Sequence, residues 1–315
     1  VLWNFSCFFL IDRCIVFCHS YIVANLWYIE LMNSQNYKRS IIKYYRQSGW
    51  LYKYFWYSNK SLALHCGFWN KETKNIDQAL INQYKHVIEK AKIKKGMIIL
   101  DAGCGVGGGS IYIAQQTGVK VTGITISPEQ VKEARLNVVK NEVGKLVNIE
   151  LMDFEKTIFP DSFFDVIFGI ESVCYAHPKT TFLKEAYRIL KPGGVLIIND
   201  GYIKRVPSGS EENKLFEAMC RGWKVYEFVD YRKMTETMKA TNFRDIVVED
   251  MAVAVRPTLR KIGVLVKWFK PVIKLTQGIR SDAAQSVRDN VESLATLDEG
   301  DRIGLFGYYS HIAKK

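Results

Sequence analysis

A run of small residues directly after an apolar strand is the feature that most constrains the fold of this chain. Residues 97–101 (MIILD) predict a buried strand, residues 103–109 (GCGVGGG) carry almost no side chains, and a helix is expected to begin near Ser110. Glycine adopts backbone angles that other residues resist and lets a ligand approach the main chain. This order of elements builds a nucleotide or nucleoside pocket at the carboxyl edge of a parallel sheet.

Strand-like and helix-like segments alternate after this loop, which is typical of an α/β fold. One following helix has a clear predicted start, with Ser127 as N-cap and Pro128 in its first position. We predict a doubly wound, seven-stranded Rossmann-like sheet. Helices are expected over residues 76–93 and 180–190, and residues 191–194 are expected to form a turn. The predicted strands cover residues 97–101, 119–125, 147–152, 165–170, 195–199, 244–249 and 305–312.

The predicted sheet divides the chain into five parts. We expect an apolar extension (1–31), an N-terminal helical and aromatic lid (32–95), a cofactor-binding core (96–250), a cap insertion (251–304) and a last core strand (305–315). The cap is expected because roughly fifty residues between two strands exceed a normal connection.

The first 31 residues differ from the rest in composition. Their charges are Asp12, Arg13 and Glu30, and the first residue is not Met. Asp12 and Arg13 split the apolar run into pieces too short to span a bilayer, and a signal peptide's basic start is missing. We expect a non-native extension upstream of a translation start at Met32, and the alternative is a membrane anchor.

Basic residues are concentrated in one stretch of a chain whose net charge is +12. Residues 256–280 carry seven bases and no acid, interleaved with apolar residues. This pattern predicts peripheral contact with a membrane surface, and the alternative is a helical cap with a solvated basic face. No recognition motif for nucleic acid accompanies the charge. The seven cysteines lack metal-ligand spacing, which favours reduced thiols, a cytoplasmic location and no metal site.

The glycine loop alone leaves the cofactor open, because residues 103–108 also satisfy the GxGxxG pattern of dinucleotide sites. Such a site needs an acid about twenty residues further on to hold the ribose, and here the second strand ends at Thr125 instead. Asp101 would face the loop, where it could order the loop or meet a cationic ligand. An NAD(P)-dependent oxidoreductase and a non-catalytic cofactor-binding scaffold are therefore the alternatives to the interpretation below.

Three motifs resemble those of the class I S-adenosylmethionine-dependent methyltransferases and occur in the same order. The resemblance covers the chain from about residue 56 to the C-terminus. Residues 100–108 (LDAGCGVGG) look like the family's first motif, residues 159–165 (FPDSFFD) like its PFPDxSFD segment, and residues 190–194 like its LKPGG motif. The likeness is closest to sterol C-methyltransferases, tocopherol methyltransferases, sugar O-methyltransferases and cyclopropane fatty acid synthases. It implies methyl transfer from S-adenosyl-L-methionine to carbon or oxygen of a small, lipophilic acceptor such as a sterol, tocopherol or quinol.

The resemblance also implies which residues hold the cofactor. Residues 64–69 (LHCGFW) resemble the LHxGYW segment that folds over it, and residues 123–130 (GITISPEQ) resemble GITLSxxQ, in which Thr and Gln replace the ribose-binding acid. Ordinary core packing is the alternative for Cys104 and Phe154. The predicted cofactor-binding residues are Phe68, Trp69, Asp101, Gly103, Cys104, Gly105, Gly107, Thr125, Gln130, Asp153 and Phe154.

Residues 169–178 (GIESVCYAHP) follow the fourth predicted strand and resemble the IEATCHAP segment of the sterol enzymes. Tyr175 stands where the family has a histidine that is the proposed base in several relatives, and His177 stands where the family has proline. A hydroxyl nucleophile needs a base of near-neutral pKa, and His177 is a candidate because the ordinary pKa of histidine lies in that range. An alkene nucleophile needs carboxylates and aromatic faces, which Glu171, Asp200 and the tyrosines supply. The predicted catalytic residues are Glu171, Tyr175, His177 and Asp200, and the alternative for His177 is a surface role.

Overall fold

The computed structural model describes residues 34–55, 61–275 and 281–315. The extension predicted over residues 1–31 lies outside the described residues. The chain divides into two compact units, Val1–Lys43 and Tyr44–Lys315. Of the first unit, residues 34–43 are described, and they form the beginning of helix α1 (Ser34–Phe55).

The second unit contains a seven-stranded sheet, which confirms the predicted fold class. The strand order is β3-β2-β1-β4-β5-β7-β6, in which the first five pair in parallel and β7 runs antiparallel to both β5 and β6. The strands are β1 (Ile98–Ala102), β2 (Lys120–Thr125), β3 (Val147–Leu151), β4 (Phe164–Ile170), β5 (Leu190–Ile203), β6 (Arg244–Asp250) and β7 (Phe306–Lys314).

Helices connect the strands and cover both faces of the sheet. Along β1, Ile99 packs with residues of α2, α3 and α4, whereas Leu100 packs with residues of α5 and α7. Neighbouring residues of a strand point to opposite faces, so a strand buried on both sides is apolar throughout. The remaining helices are α2 (Ile76–Lys90), α3 (Gly108–Thr117), α4 (Pro128–Lys140), α5 (Lys179–Ile189), α6 (Gly209–Trp223), α7 (Tyr231–Ala240), α8 (Ala252–Leu275) and α9 (Asp282–Arg302), with a 3₁₀ turn at Val173–Tyr175.

One local prediction is wrong, and another differs from the structure by two residues. Residues 191–194 do not form a free turn, because β5 already begins at Leu190 and the register against β4 shifts there to absorb the extra residues. Gly193 takes a left-handed φ of 76° and its N–H donates to the carbonyl of Lys315, just after β7, so the segment bulges within β5. Helix α3 begins at Gly108 rather than near Ser110, since Gly107 takes a left-handed φ of 89° and turns the chain earlier.

The insertion between β6 and β7 folds into two long helices, α8 and α9, within the predicted range 251–304. A third helix, α6, packs closely on α9: a Cβ on Gly222 would lie 2.3 Å from the carbonyl oxygen of Asp289. Arg221 of α6 also pairs with Glu292 of α9 at 2.8 Å. Helix α6 therefore packs together with the cap helix α9, although the sequence analysis did not predict α6. Of the described helices, none is both long and apolar enough to cross a membrane.

Candidate cofactor and acceptor site

The carboxyl ends of the parallel strands bring most of the predicted site residues to one edge of the sheet. Ala102 of β1 is opposite Ile124 of β2, and Thr125 of β2 is opposite Leu151 of β3. Ligands of open α/β sheets bind outside this edge. The glycine loop, Thr125, Asp153 and Glu171 end or follow these strands, and Asp200 lies in β5 just after its last residue paired with β4.

The glycine loop after β1 uses backbone angles that favour glycine. Gly103, Gly105 and Gly107 have φ values of 95°, 53° and 89°. The N–H groups of Gly103 and Cys104 donate to the carbonyl of Ile124 at 3.0 and 2.9 Å, which ties the loop to the end of β2. A Cβ on Gly103 would lie 2.4 Å from the Cβ of Ser172. The loop is thus a backbone cradle fixed to β2, and at Gly103 the neighbouring Ser172 leaves no room for a side chain.

Asp101 lies buried beneath the start of α3. Its Oδ2 accepts a hydrogen bond from the Ser110 hydroxyl at 2.7 Å. Burial raises the pKa of this carboxyl to about 7, although the Ser110 bonds oppose the rise. The carboxyl therefore joins the end of β1 to α3, in line with the loop-ordering role considered for it. Direct contact with a cofactor stays a prediction.

The structure brings together Thr125 and Gln130, the two residues predicted to replace the ribose-binding acid. The Thr125 hydroxyl donates to Oε1 of Gln130 at 2.7 Å. Ser127 caps α4 as predicted, because its side chain accepts from the Gln130 N–H at 3.3 Å. The helix start thus fixes Gln130 beside the end of β2.

The two residues predicted after β3 have different surroundings. Oδ1 of Asp153 accepts from the Glu155 N–H at 2.9 Å and so shapes the turn after the strand. The Phe154 ring packs edge-on against Phe182 at 5.1 Å between ring centroids. This contact agrees with core packing, the alternative for Phe154.

The segment before α2 lies against the glycine loop. A Cβ on Gly108 would come within 2.4 Å of the Leu62 carbonyl oxygen, and one on Gly105 within 3.2 Å of the Leu64 side chain. Residues 62–64 therefore lie against the loop, and the lid role predicted for residues 32–95 stays a prediction.

Phe68 contacts β7, and Trp69 contacts the cap. The Phe68 ring lies edge-on to Tyr308 at 5.8 Å. The Trp69 indole N–H donates to the Thr258 hydroxyl of α8 at 2.9 Å, and the Lys261 ammonium lies 4.2 Å from the indole centroid. These two residues anchor the segment on the cap, and their cofactor contact stays a prediction.

Glu171 and Asp200 form a pair of enclosed carboxyls. Oε1 of Glu171 accepts from the Cys66 N–H at 2.7 Å, and Oδ2 of Asp200 accepts from the Cys174 N–H at 2.8 Å. Burial raises the pKa of Glu171 to about 7, with the negative charge of Asp200 adding to the rise. Burial also raises the pKa of Asp200 to about 6. A carboxyl with such a pKa exchanges protons near neutral pH.

Tyr175 and His177 face different neighbours. The Tyr175 hydroxyl accepts from the Tyr45 hydroxyl of α1 at 3.1 Å. The His177 ring stacks on Tyr226 at 3.5 Å, and its backbone N–H donates to Glu155 at 2.9 Å. Burial lowers the pKa of His177, so the ring is neutral at pH 7. These contacts place His177 with Glu155 and Tyr226 rather than with Glu171.

The sequence analysis did not identify two buried residues, Gln83 of α2 and Tyr308 of β7, that support the segments bound to Glu171. The Gln83 side chain donates to the Cys66 carbonyl at 2.8 Å and to the Tyr308 hydroxyl at 2.9 Å, and the Tyr308 hydroxyl donates to the Asn199 carbonyl at 3.3 Å. Strand alternation does not single out Tyr308, because the next residue of β7 is buried as well. In the part of the chain that the structure describes, no group of three or more His, Cys, Asp or Glu side chains could hold a metal ion.

Known proteins share both the sequence pattern and the fold. The family model for mycolic acid cyclopropane synthetase matches residues 32–245. Phosphoethanolamine N-methyltransferase 1 of Zea mays is 31% identical over 209 residues, which are 66% of this chain and 39% of that protein. The 2-methyl-6-phytyl-1,4-hydroquinone methyltransferase of Synechocystis is 34% identical over 149 residues, 46% of each chain. This chain thus spans less than half the length of these two curated relatives.

A solved structure agrees with the observed topology. The cyclopropane synthase MmaA2 from Mycobacterium tuberculosis superposes with a TM-score of 0.69 at 18% identity, covering 80% of this chain and 90% of that one. The family match extends over the glycine loop, the Thr125–Gln130 pair and both carboxyls. The chain therefore belongs to the mycolic acid cyclopropane synthetase family, within the class I S-adenosylmethionine-dependent methyltransferases.

Proposed function

We propose that this protein transfers a methyl group from S-adenosyl-L-methionine to carbon or oxygen of a small, lipophilic acceptor of the sterol, tocopherol or quinol type. The observation that carries the proposal is the cradle of left-handed glycines beside the Thr125–Gln130 pair. Family membership argues against the NAD(P)-dependent oxidoreductase.

The residues present fit this cofactor. The left-handed glycines Gly103, Gly105 and Gly107 leave the backbone of the cradle without side chains, so a ligand could approach it closely. Thr125 and Gln130 offer neutral polar groups to a ribose. When bound, the cofactor supplies a methyl group on an activated sulfonium. The residues that would hold it are Asp101, Gly103, Cys104, Gly105, Gly107, Thr125, Gln130 and Asp153, with Phe68, Trp69 and Phe154 in supporting positions.

The two enclosed carboxyls would act on the acceptor. For a hydroxyl acceptor, Glu171 with a pKa of about 7 accepts a proton near neutral pH. For an alkene acceptor, Glu171 and Asp200 would stabilise developing positive charge, helped by the aromatic face of Tyr175. Neutral His177 remains a candidate base, although its contacts are with Glu155 and Tyr226.

The lipophilic acceptor is supported by one relative and by the lining of the site. The Synechocystis relative is named for a phytyl hydroquinone. The rings of Tyr45 and Tyr175 pack edge-on at 6.0 Å, next to the 3₁₀ turn that follows Glu171. Aromatic side chains with polar tips suit an acceptor that has an apolar body and one hydroxyl.

A labelled-methyl assay tests the proposed reaction. The protein is incubated with methyl-labelled cofactor and a panel of quinols, sterols, phenols and amines, and products are identified by mass spectrometry. We expect label on carbon or oxygen of a lipophilic member. Label on an amine would refute the acceptor class, and tight cofactor binding without transfer to any member would favour the non-catalytic scaffold.

We further propose that the outer face of α8 contacts an anionic membrane surface. Arg256 is bound to Asp301 at 2.6 Å and Lys261 lies over Trp69, so these two bases also hold the cap together. Val253, Arg260 and Val264 share an exposed face. Sedimentation with anionic vesicles should fall for Arg260→Glu and not for Lys71→Glu, an exposed control outside α8. Equal binding by both variants would refute the contact.

A further inference from the structure

Lys179 stands at a position where a cation is electrostatically unfavourable. It is the first residue of α5, directly after the cap residue Pro178. The N-terminus of a helix carries partial positive charge, so a lysine there is repelled rather than stabilised. Its side chain is also only partly exposed to solvent. A residue that breaks a local rule in this way points to a functional site and needs compensating partners.

The partners of the Lys179 ammonium lie in and after the 3₁₀ turn Val173–Tyr175 that precedes α5. Its Nζ donates to the Cys174 carbonyl at 2.6 Å and to the Ala176 carbonyl at 2.7 Å. Hydrogen bonds from a charged donor are roughly twice as strong as those between neutral groups. The side chain therefore ties the end of the turn to the start of α5.

The beginning of the turn is held by other bonds. The Ser172 hydroxyl donates to the Ala102 carbonyl at 2.6 Å, and Oδ2 of Asp200 accepts from the Cys174 N–H at 2.8 Å. Asp200 and Lys179 line the same small cavity beside the turn. A carboxyl and an ammonium thus hold the N–H and the carbonyl of one residue, Cys174.

The turn held in this way carries Tyr175. The Tyr175 hydroxyl accepts from Tyr45 of α1 at 3.1 Å. The side chains of Cys174 and Tyr175 also pack against an apolar cluster, which contains residues of the segment before α2 and of the cap helices α8 and α9. Because Glu171 directly precedes the turn, a displacement of the turn would change how Tyr175 and Glu171 are arranged relative to each other.

We infer that Lys179 is a positioning residue, which fixes the turn Val173–Tyr175 so that Tyr175 keeps its place at the acceptor end of the site. The inference rests on the proposed function, in which Glu171 and Tyr175 face the acceptor. The Ser172 hydroxyl bonds β1 independently of Lys179. Replacing Lys179 should therefore loosen the acceptor end and leave the glycine loop beside Ser172 in place.

Hydrogen exchange of Lys179→Met tests the inference, because methionine keeps the length of the side chain and removes the ammonium. Lys184→Met is the matched control, since Lys184 is an exposed lysine of the same helix. Amide exchange in the peptide that covers residues 172–177 should become at least about tenfold faster in Lys179→Met, because hydrogen bonds to a charged donor are lost. The control should exchange like the wild type.

Steady-state kinetics use the quinol or sterol that takes up label in the acceptor panel. We expect kcat/KM for this acceptor to fall at least about tenfold in Lys179→Met, because a small misplacement of groups around the acceptor is costly. The variant should keep the wild-type affinity for S-adenosylhomocysteine in calorimetric titration. An equal loss of kcat/KM and of S-adenosylhomocysteine affinity would indicate a general structural role and overturn the inference.

A second variant, Lys179→Gln, keeps the inference testable if Lys179→Met does not fold, and it should accelerate exchange of the same peptide. Unchanged exchange in a folded variant, or faster exchange with unchanged kcat/KM, overturns the inference. The exchange measurement uses neither cofactor nor acceptor, so faster exchange without methyl transfer to any acceptor refutes the proposed function alone.

Discussion

Replacing Gly103 by alanine tests whether the cradle depends on close approach as well as on backbone angle. Gly103 has a φ of 95°, and its added Cβ would lie 2.4 Å from the Cβ and 2.9 Å from the hydroxyl of Ser172. Gly118 is a matched control at the other end of α3, since its φ is 69° and nothing lies within 4 Å of an added Cβ. The two substitutions share the backbone penalty and differ in the collision.

The expected magnitudes follow from these two contributions. Alanine in the left-handed region costs about 1–2 kcal/mol, which is the whole expected effect of Gly118→Ala. Overpacking adds about 1–3 kcal/mol, so Gly103→Ala should lose about 2–5 kcal/mol. The collision also displaces the loop, and we expect S-adenosylhomocysteine affinity to fall at least tenfold in Gly103→Ala only.

Urea unfolding and calorimetric titration measure both effects. Ser172→Gly removes the atoms that the new Cβ would collide with, and it also removes the hydrogen bond from the Ser172 hydroxyl to the Ala102 carbonyl. Gly103→Ala should therefore cost less in the Ser172→Gly background, by about 1 kcal/mol or more. Equal destabilisation by Gly103→Ala and Gly118→Ala, with unchanged ligand affinity, would refute the reasoning.

Three other substitutions test separate parts of the structure. Folded Asp101 has a pKa of about 7 against an ordinary 3.8, so its stabilising contribution is complete below pH 3.8 and is lost as pH rises through 7. In urea unfolding at pH 8, Asp101→Asn should therefore have a free energy of unfolding higher than that of the wild type by at most about 4 kcal/mol, and this difference should vanish at pH 4. The same difference at both pH values would contradict the prediction. Phe182→Ala, in the core under α5, should cost about 3–5 kcal/mol in the same assay, and a loss below about 1 kcal/mol would argue against its packing role. Thr258→Val removes the acceptor of both the Trp69 indole N–H and the Gly67 N–H, so it should cost about 1–3 kcal/mol and increase the exposure of Trp69 to a fluorescence quencher; unchanged quenching would show that the Thr258 hydroxyl does not hold the segment.

Local signals in the sequence were sufficient for much of the fold. The Ser127 side chain caps α4 by bonding a residue only three positions further along the chain. Ile99 and Leu100 lie in a run that is apolar because both faces of β1 are buried. Such signals depend on neighbours along the chain, so they can be identified without the tertiary structure. The Thr125–Gln130 pair also belongs to this class, because a single helix start sets its geometry.

Features that depend on distant segments could not be predicted in this way. The LKPGG segment belongs to β5 and is bonded by Lys315, which lies more than a hundred residues later in the chain. Gln83 looks like an ordinary polar residue of α2 until β5 and β7 surround it. Helix α6 packs against α9, a distant segment of the chain. His177 is close to Glu171 in the sequence, whereas in the structure its backbone N–H donates to Glu155.

The most direct test of the central claim is a pair of calorimetric titrations of the wild-type protein, one with S-adenosylhomocysteine and one with NAD⁺. The glycine cradle, the Thr125–Gln130 pair and the family match predict a single S-adenosylhomocysteine site, no NAD⁺ binding, and loss of the site in Gly105→Val. Binding of NAD⁺ in the absence of S-adenosylhomocysteine binding would contradict the account.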